Sequence, residues 1–209
     1  MNVNELIEAS KNAEHCQRNW DHTQSVPEEH VHALIDIATN MPTKSNDEFY
    51  RLVVSTDRDL NRKFYELAED PDNQQTVGRN AQVDAPVVFT WFELKKEGIG
   101  DWKNTQGFFD PWLLNARTAM GISSGAVAFA ANALGYRTGY NQCFDSKDIA
   151  ELVTEVTGET DIEFFSKPHY QLGIGFPNKE HTWNTVLNDD GTVFRNIVSH
   201  SKSIKTYVI

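Results

Sequence analysis

Apolar positions in this chain switch between a helical and an alternating period, and the switches outline the elements. Val3, Leu6, Ile7 and Ala13 form a short helical stripe at the start, and a polar loop follows from Arg18 to Ser25. Pro27 suits a first helical turn, and Val31, Leu34, Ile35 and Ala38 recur at helical spacing behind it. That helix stops before Pro42, because the residue preceding a proline is pushed out of the helical region. Phe49 to Ser55 is aromatic and β-branched and predicts a strand. Asp57 to Glu69 predicts a helix with Leu60, Phe64 and Leu67 on one face. Pro86 to Phe92 is an apolar run crossed only by Thr90, the pattern of a strand buried on both faces. A polar stretch carrying glycines and aromatics runs from Glu93 to Phe109.

The longest element comes next. Asp110 suits a cap, Pro111 a first helical position and Gly135 a C-terminal stop. The helix between them is roughly 35 Å long at 1.5 Å per residue. It is dense in small residues, among them Ala116, Ala119, Gly121, Gly125 and Ala128. Two readings stand: a buried central helix, or a helix packed closely on a second copy of itself. A strand at Arg137 to Asn141, a helix at Ser146 to Val156 and a strand at His169 to Ile174 follow. Asn184 to Val198 reads as a hairpin turned at Asp189-Asp190-Gly191, and Thr206 to Ile209 is strand-like. The class is α+β, a central mixed or antiparallel sheet flanked by helices in one domain over residues 1–209.

Composition narrows the functions. With 209 residues, 39% hydrophobic and 23% charged, the chain can bury a real core. A formal net charge of −11 with no Lys/Arg run disfavours nucleic acid, although a local basic cluster can still hold one small phosphate ligand. No apolar window spans a membrane, and Met1 to Glu5 lacks the features of a signal peptide. Two cysteines, Cys16 and Cys143, make no disulfide scaffold, so the reading is a reducing, cytoplasmic setting.

Catalytic motifs are missing. His30 and His32 are two apart on a helix and face different ways, and His15-Cys16 has no second pair at zinc spacing, so no metal is expected. There is no nucleophile elbow and no phosphate-binding glycine loop. Gly173-Ile174-Gly175 is half of a dinucleotide fingerprint and is read as tight strand-end geometry. A chain without a nucleophile or an acid–base team fits chemistry carried by a cofactor, and no catalytic side chain is assigned.

Five segments, in order, resemble the FMN-dependent nitroreductase family. They are Arg18-Asn19-Trp20-Asp21 with Val26-Pro27-Glu28-Glu29; Pro42-Thr43-Lys44-Ser45-Asn46 running on to Arg51; Asp84-Ala85-Pro86-Val87-Val88-Phe89; Ala133-Leu134-Gly135-Tyr136 with Thr138-Gly139; and Leu172 to Pro177. The resemblance covers residues 14 to 178. It implies an α+β dimer with two FMN sites between the subunits, the long helix packed across the two-fold axis and the C-terminal strand extended onto the partner.

The resemblance also implies roles for particular residues. Arg18, flanked by His15 and Cys16, takes the phosphate end, where a guanidinium fork suits a phosphate. Glu14 stands where the family carries an arginine, so either it turns away or the loop is reset by a residue; the missing charge then comes from Lys202 or Lys205, which otherwise read as a solvated tail. Pro42, Thr43, Lys44 and Asn46 reach the flavin from the other subunit; Lys44 is either a cation beside the reduced ring or a surface lysine. Asn80 is a flavin contact or a plain loop residue. Gln142 and Cys143 bring backbone N–H groups to the flavin N5. Phe108, Phe109 and Trp112 either cover the open flavin face as a substrate site or pack on the long helix.

The implied activity is a two-step, ping-pong transfer. NADH or NADPH is the transient electron donor, and a nitroaromatic, a quinone or a similar small molecule is the acceptor. The alternatives are an FMN-binding protein without turnover, and a specialised branch for reductive dehalogenation or flavin breakdown.

Overall fold

The computed structural model describes residues 2–68, 80–94, 111–159, 168–188, 190–198 and 205–206, with no account of the Pro111 side chain. Five α-helices are seen: α1 (Val3–Ala13), α2 (Glu28–Thr39), α3 (Arg58–Glu66), α4 (Pro111–Ala133) and α5 (Ser146–Thr157). Six strands accompany them: β1 (Tyr50–Ser55), β2 (Val87–Glu93), β3 (Arg137–Asn141), β4 (Pro168–Gly175), β5 (Thr185–Leu187) and β6 (Val193–Asn196). The main sheet has the order β1-β2-β4-β3 with every pairing antiparallel, and β5-β6 is a separate hairpin.

Local chemistry accounts for most boundaries. Asn2 caps α1 in a capping box with Glu5, and Asp57 and Asp145 cap α3 and α5. Pro27 is the cap of α2, so the first helical residue is Glu28. The α3 helix ends at Glu66, three residues before the predicted Glu69; Leu67 is its C-cap, and Ala68 already bridges to Phe144. Gly135, at φ 94°, stops α4: its N–H donates to the Asn132 carbonyl and that of Tyr136 to the Ala131 carbonyl, which closes the last turn. The turn residue Asp189 and tail residues 207–209 lie outside the described residues, while Lys205 and Thr206 are exposed and in no strand.

The sheet separates two apolar layers. On one face Phe89, Trp91, Leu172 and Ile174 meet Ala116, Met120 and Val127 of α4 and Leu34 of α2. On the other, Val88 and Phe92 meet Phe64 of α3 and Ile149 and Val153 of α5. Every residue of β2 is buried, as the apolar run requires.

The α4 helix fits neither of its two readings alone. Its inner face belongs to the core, yet Leu114 is 50% and Ile122 42% exposed on the outer face. A Cβ at Gly121 or Gly125 would meet nothing within 4 Å, so packing inside this chain does not call for glycine at either position.

Gly175 is the last residue of β4, at the strand end where the sequence reading put it, and Gly173 lies two residues before it. Both lie in regular register within β4, where Gly173 pairs with Val88 on one side and Gly139 on the other. What they accommodate is close approach. A Cβ at Gly173 would sit 1.8 Å from the Gln82 carbonyl oxygen, and one at Gly175 would sit 2.5 Å from the Pro86 ring. A Cβ at Gly139 would sit 2.2 Å from the Gln17 carbonyl oxygen. The glycines form a flat strip on which crossing segments rest.

Candidate functional site

The segment after α1 lies along the outer edge of β3. The Gln17 N–H donates to the Thr138 carbonyl at 2.9 Å. Cys16 Sγ accepts from the Tyr140 N–H at 3.3 Å and donates to the Tyr140 carbonyl at 3.6 Å. Further on, the buried Asn19 amide donates to the Thr182 and Thr185 carbonyls, and Trp20 Nε1 donates to the Ala81 carbonyl. Buried donors with partners on three separate elements hold this stretch in one conformation.

That anchoring brings His15, Cys16 and Arg18 together. The His15 ring stacks on Trp183 at 4.4 Å between centroids and 8° between planes. Arg18 Nη1 donates to the Cys16 carbonyl at 2.9 Å and to the Trp183 carbonyl at 3.5 Å. Trp183 escaped the sequence reading, since a lone tryptophan in a polar loop carries no periodic signal. Glu14 is the C-cap of α1 and is exposed. Lys205 is exposed, and Lys202 lies outside the described residues.

Gln142 and Cys143 follow β3 directly. Gln142 is exposed, and no described residue accepts from its backbone N–H. The Cys143 N–H, by contrast, donates to Asn141 Oδ1 at 3.1 Å, so only one of the two N–H groups expected to face a ligand is open. Among the described residues neither Cys16 nor Cys143 forms a disulfide. Asn80 Oδ1 accepts from Gln82 Nε2 at 3.3 Å; Gln82 is 4% exposed and its Oε1 has no hydrogen-bond partner. Burial raises the pKa of the Tyr140 and Tyr170 hydroxyls above the usual phenol value; Tyr170 shares a 2.9 Å hydrogen bond with Ser124 of α4.

The Pro42 to Asn46 loop is launched from a pinned helix end. The Ala38 carbonyl accepts from Ser123 Oγ at 2.8 Å and from the Tyr50 hydroxyl, and Ser123 in turn accepts from Trp91 Nε1 at 3.0 Å. Beyond it, Lys44–Asn46 form a 3-10 turn with Ser45 at φ 59° and Asn46 at φ 57°. Two consecutive non-glycine residues in the left-handed region are strained. Asn tolerates that region; Ser does so less readily. Ser45→Gly is therefore expected to raise stability by about 0.5–1 kcal/mol, and Ser45→Val to lower it by about 1–2 kcal/mol, in thermal melts.

Pro42, Lys44 and Asn46 are exposed. Thr43 and Asn46 line an open cleft of about 450 Å³ with Met41, Asp47, Phe49 and Tyr50. Trp112 stands behind it: its ring lies 4.5 Å from Phe49 and its Nε1 donates to the Leu94 carbonyl at 3.0 Å. Phe108 and Phe109 lie outside the described residues.

The predicted residues therefore fall into two groups. His15, Cys16, Arg18, Gln142 and Cys143 gather around β3, while Thr43, Lys44 and Asn46 gather at the start of β1. Among the described residues, no hydrogen bond or ring contact joins the groups. The structure brings each group together on its own element, one beside β3 and the other before β1.

No protein-family model matches this chain, and no curated protein does. Solved structures do match. The NfrA2 protein of B. megaterium is 20% identical over 90% of this chain and 71% of its own, with a TM-score of 0.60. An enone reductase of gut-bacterial fatty acid saturation, CLA-ER, is 16% identical over 87% and 94%, with a TM-score of 0.62. An FMN complex of a nitroreductase from Exiguobacterium sibiricum is 17% identical over 87% and 91%, with a TM-score of 0.59. The architecture is thus an α+β class in which an antiparallel sheet carries one long helix on its face. Within that class the chain has the nitroreductase-like fold. Among the described residues no helix is long and apolar enough to cross a membrane.

Proposed function

We propose that two copies of this chain form a dimer that holds FMN in shared sites and acts as an oxidoreductase fed by NADH or NADPH. The observation that carries this reading is the division of the site residues into two separate groups on a nitroreductase-like fold. A second copy is what would complete each site, with one chain supplying the β3 group and its partner the Pro42 to Asn46 loop. The outward glycines of α4, unexplained within one chain, suit a helix packed closely on its symmetry mate. The FMN complex among the matched structures adds the cofactor.

The residues present fit FMN. The half-buried Arg18 supplies a cation suited to a phosphate, the stacked His15 ring lies in the same segment, and the exposed Glu14 stands on the helix end before them. The tail lysines Lys202 and Lys205 are further candidates there. The unpartnered Gln142 N–H offers a donor to a heteroaromatic edge, and the orphaned Gln82 Oε1 beside Asn80 offers an acceptor. Bound FMN supplies two-electron chemistry, accepting a hydride from the nicotinamide and passing it to an acceptor. The chain's own groups would bind and orient; Lys44 on the exposed loop would offer a positive charge to the reduced ring. Nitroaromatics and quinones are the expected acceptors, and the enone reductase among the matches adds activated alkenes.

Purified protein is expected to be yellow, to release FMN on denaturation, to bleach on anaerobic mixing with NADH or NADPH, and to sediment as a dimer. Colourless protein that refuses added FMN would sink the reading. Yellow protein that neither donor bleaches would favour flavin binding without turnover. A monomer with bound FMN would contradict shared sites.

A further inference from the structure

The middle of a sheet is a costly place to bury amide side chains, yet this sheet buries three polar residues in one line across its strands. Thr90 on β2 is paired with Gln171 on β4, and Gln171 is paired with Asn141 on β3. Their exposures are 0%, 0% and 2%. All the hydrogen bonds in the row run the same way. The Cys143 N–H donates to Asn141 Oδ1 at 3.1 Å, Asn141 Nδ2 to Gln171 Oε1 at 3.3 Å, and Gln171 Nε2 to Thr90 Oγ1 at 3.3 Å. The direction is dictated at the loop end, because a backbone N–H can only donate. That N–H requires an oxygen from Asn141, which turns the Asn141 amino group to Gln171, which turns the Gln171 amino group to Thr90. Successive bonds of one sense polarise one another.

We infer that this row is a positioning device for the loop after β3, with Asn141 as its last member. It consumes the Cys143 N–H, holds the loop against the sheet and leaves the exposed Gln142 N–H as the loop's outward donor. On the FMN reading above, that donor stabilises the oxidised flavin, whose N5 accepts a hydrogen bond, more than the reduced flavin, whose N5 carries a proton. The row then tunes the redox balance of the site from residues that touch no ligand.

Two measurements on the whole chain separate this inference from the FMN reading it partly rests on. The first is amide hydrogen exchange without added FMN, comparing the natural protein with Asn141→Leu and Thr90→Val. Both replacements are close in shape, and Thr90 is two strands away from the loop. Exchange at Cys143 is expected to quicken at least about tenfold in Asn141→Leu and less, in the same direction, in Thr90→Val. Unchanged exchange in the folded variants overturns the row as a positioning device; if Asn141→Leu does not fold, Thr90→Val decides alone. The second is the FMN midpoint potential. The ratio of oxidised to reduced affinity is expected to fall about tenfold in Asn141→Leu, an upward shift of about 30 mV for a two-electron couple. Faster exchange with an unmoved potential overturns the flavin-tuning role. Natural protein that takes up no FMN overturns the FMN reading and that role together, and the exchange result still decides the loop.

Discussion

Replacing Arg18 with alanine is expected to weaken FMN binding about 100-fold while leaving riboflavin binding unchanged. A hydrogen bond to a charged group contributes about 1.5–3 kcal/mol, and the upper part of that range is a factor of about 100. The fork is held in place by the Cys16 and Trp183 carbonyls, so little ordering cost remains when a phosphate arrives. Riboflavin shares the ring and ribityl chain of FMN but lacks the phosphate, which makes it the control for general damage. Arg18→Lys keeps the charge and loses the bidentate fork, so it should recover only part of the affinity. Fluorescence titration of both flavins, with a thermal melt of each variant, reads the outcome. Equal losses for FMN and riboflavin would show that Arg18 holds the loop at Trp183 and does not hold a phosphate.

The largest expected effect on stability is at Gly173. A Cβ there would lie 1.8 Å from the Gln82 carbonyl oxygen and 2.9 Å from both the Gln82 carbonyl carbon and the Ala85 Cβ. Two of those three atoms are backbone, so no side-chain rotation relieves the clash. Gly173→Ala is expected to cost about 3 kcal/mol, at the high end for overpacking. For a chain of this size that is a fall in Tm of roughly 6–12 °C. Gly125→Ala reads a different contact: it adds the same methyl group in open space within one chain, so a loss of stability there would report the proposed packing of α4 between copies. A Gly173→Ala melt within a degree or two of the natural protein would mean that the Ala81–Val83 turn does not rest on β4.

Those two glycines also show where local reading ends. The helices and strands were legible because each has its own short-range cause. The run before Phe92 could only be a doubly buried strand, and the apolar spacing around Leu34 could only be a helix face. The close approaches were not legible. Nothing local at Gly173, Gly175 or Gly139 names its neighbour, and the segments that need them, at Gln82, Pro86 and Gln17, lie far away in the chain. The site divided in the same way. Arg18, Asn46 and Gln142 stand in short ordered motifs, so the sequence named them. Trp183, the acceptor side of Arg18 and the stacking partner of His15, was missed because a contact across 165 residues leaves no local pattern. The row of Thr90, Gln171 and Asn141 was invisible for the same reason: three ordinary polar residues become a chain only once strand order and register align them.

What the sequence determined by itself is therefore the set of elements, the α+β class and the ordered motifs that resemble a flavoprotein family. Periodicity, caps and stops act within a few residues and need no knowledge of the rest of the molecule. Tertiary structure alone decided which N–H after β3 is taken and which is open, that Arg18 is braced by Trp183, and that α4 turns two glycines away from its own core. It also decided that the predicted site residues form two groups within one chain. The bracing of Arg18, and the hold of Gln171 on the Asn141 side chain that takes the Cys143 N–H, depend on groups distant in sequence being brought within about 3–4 Å, the range over which hydrogen bonds and van der Waals contacts act.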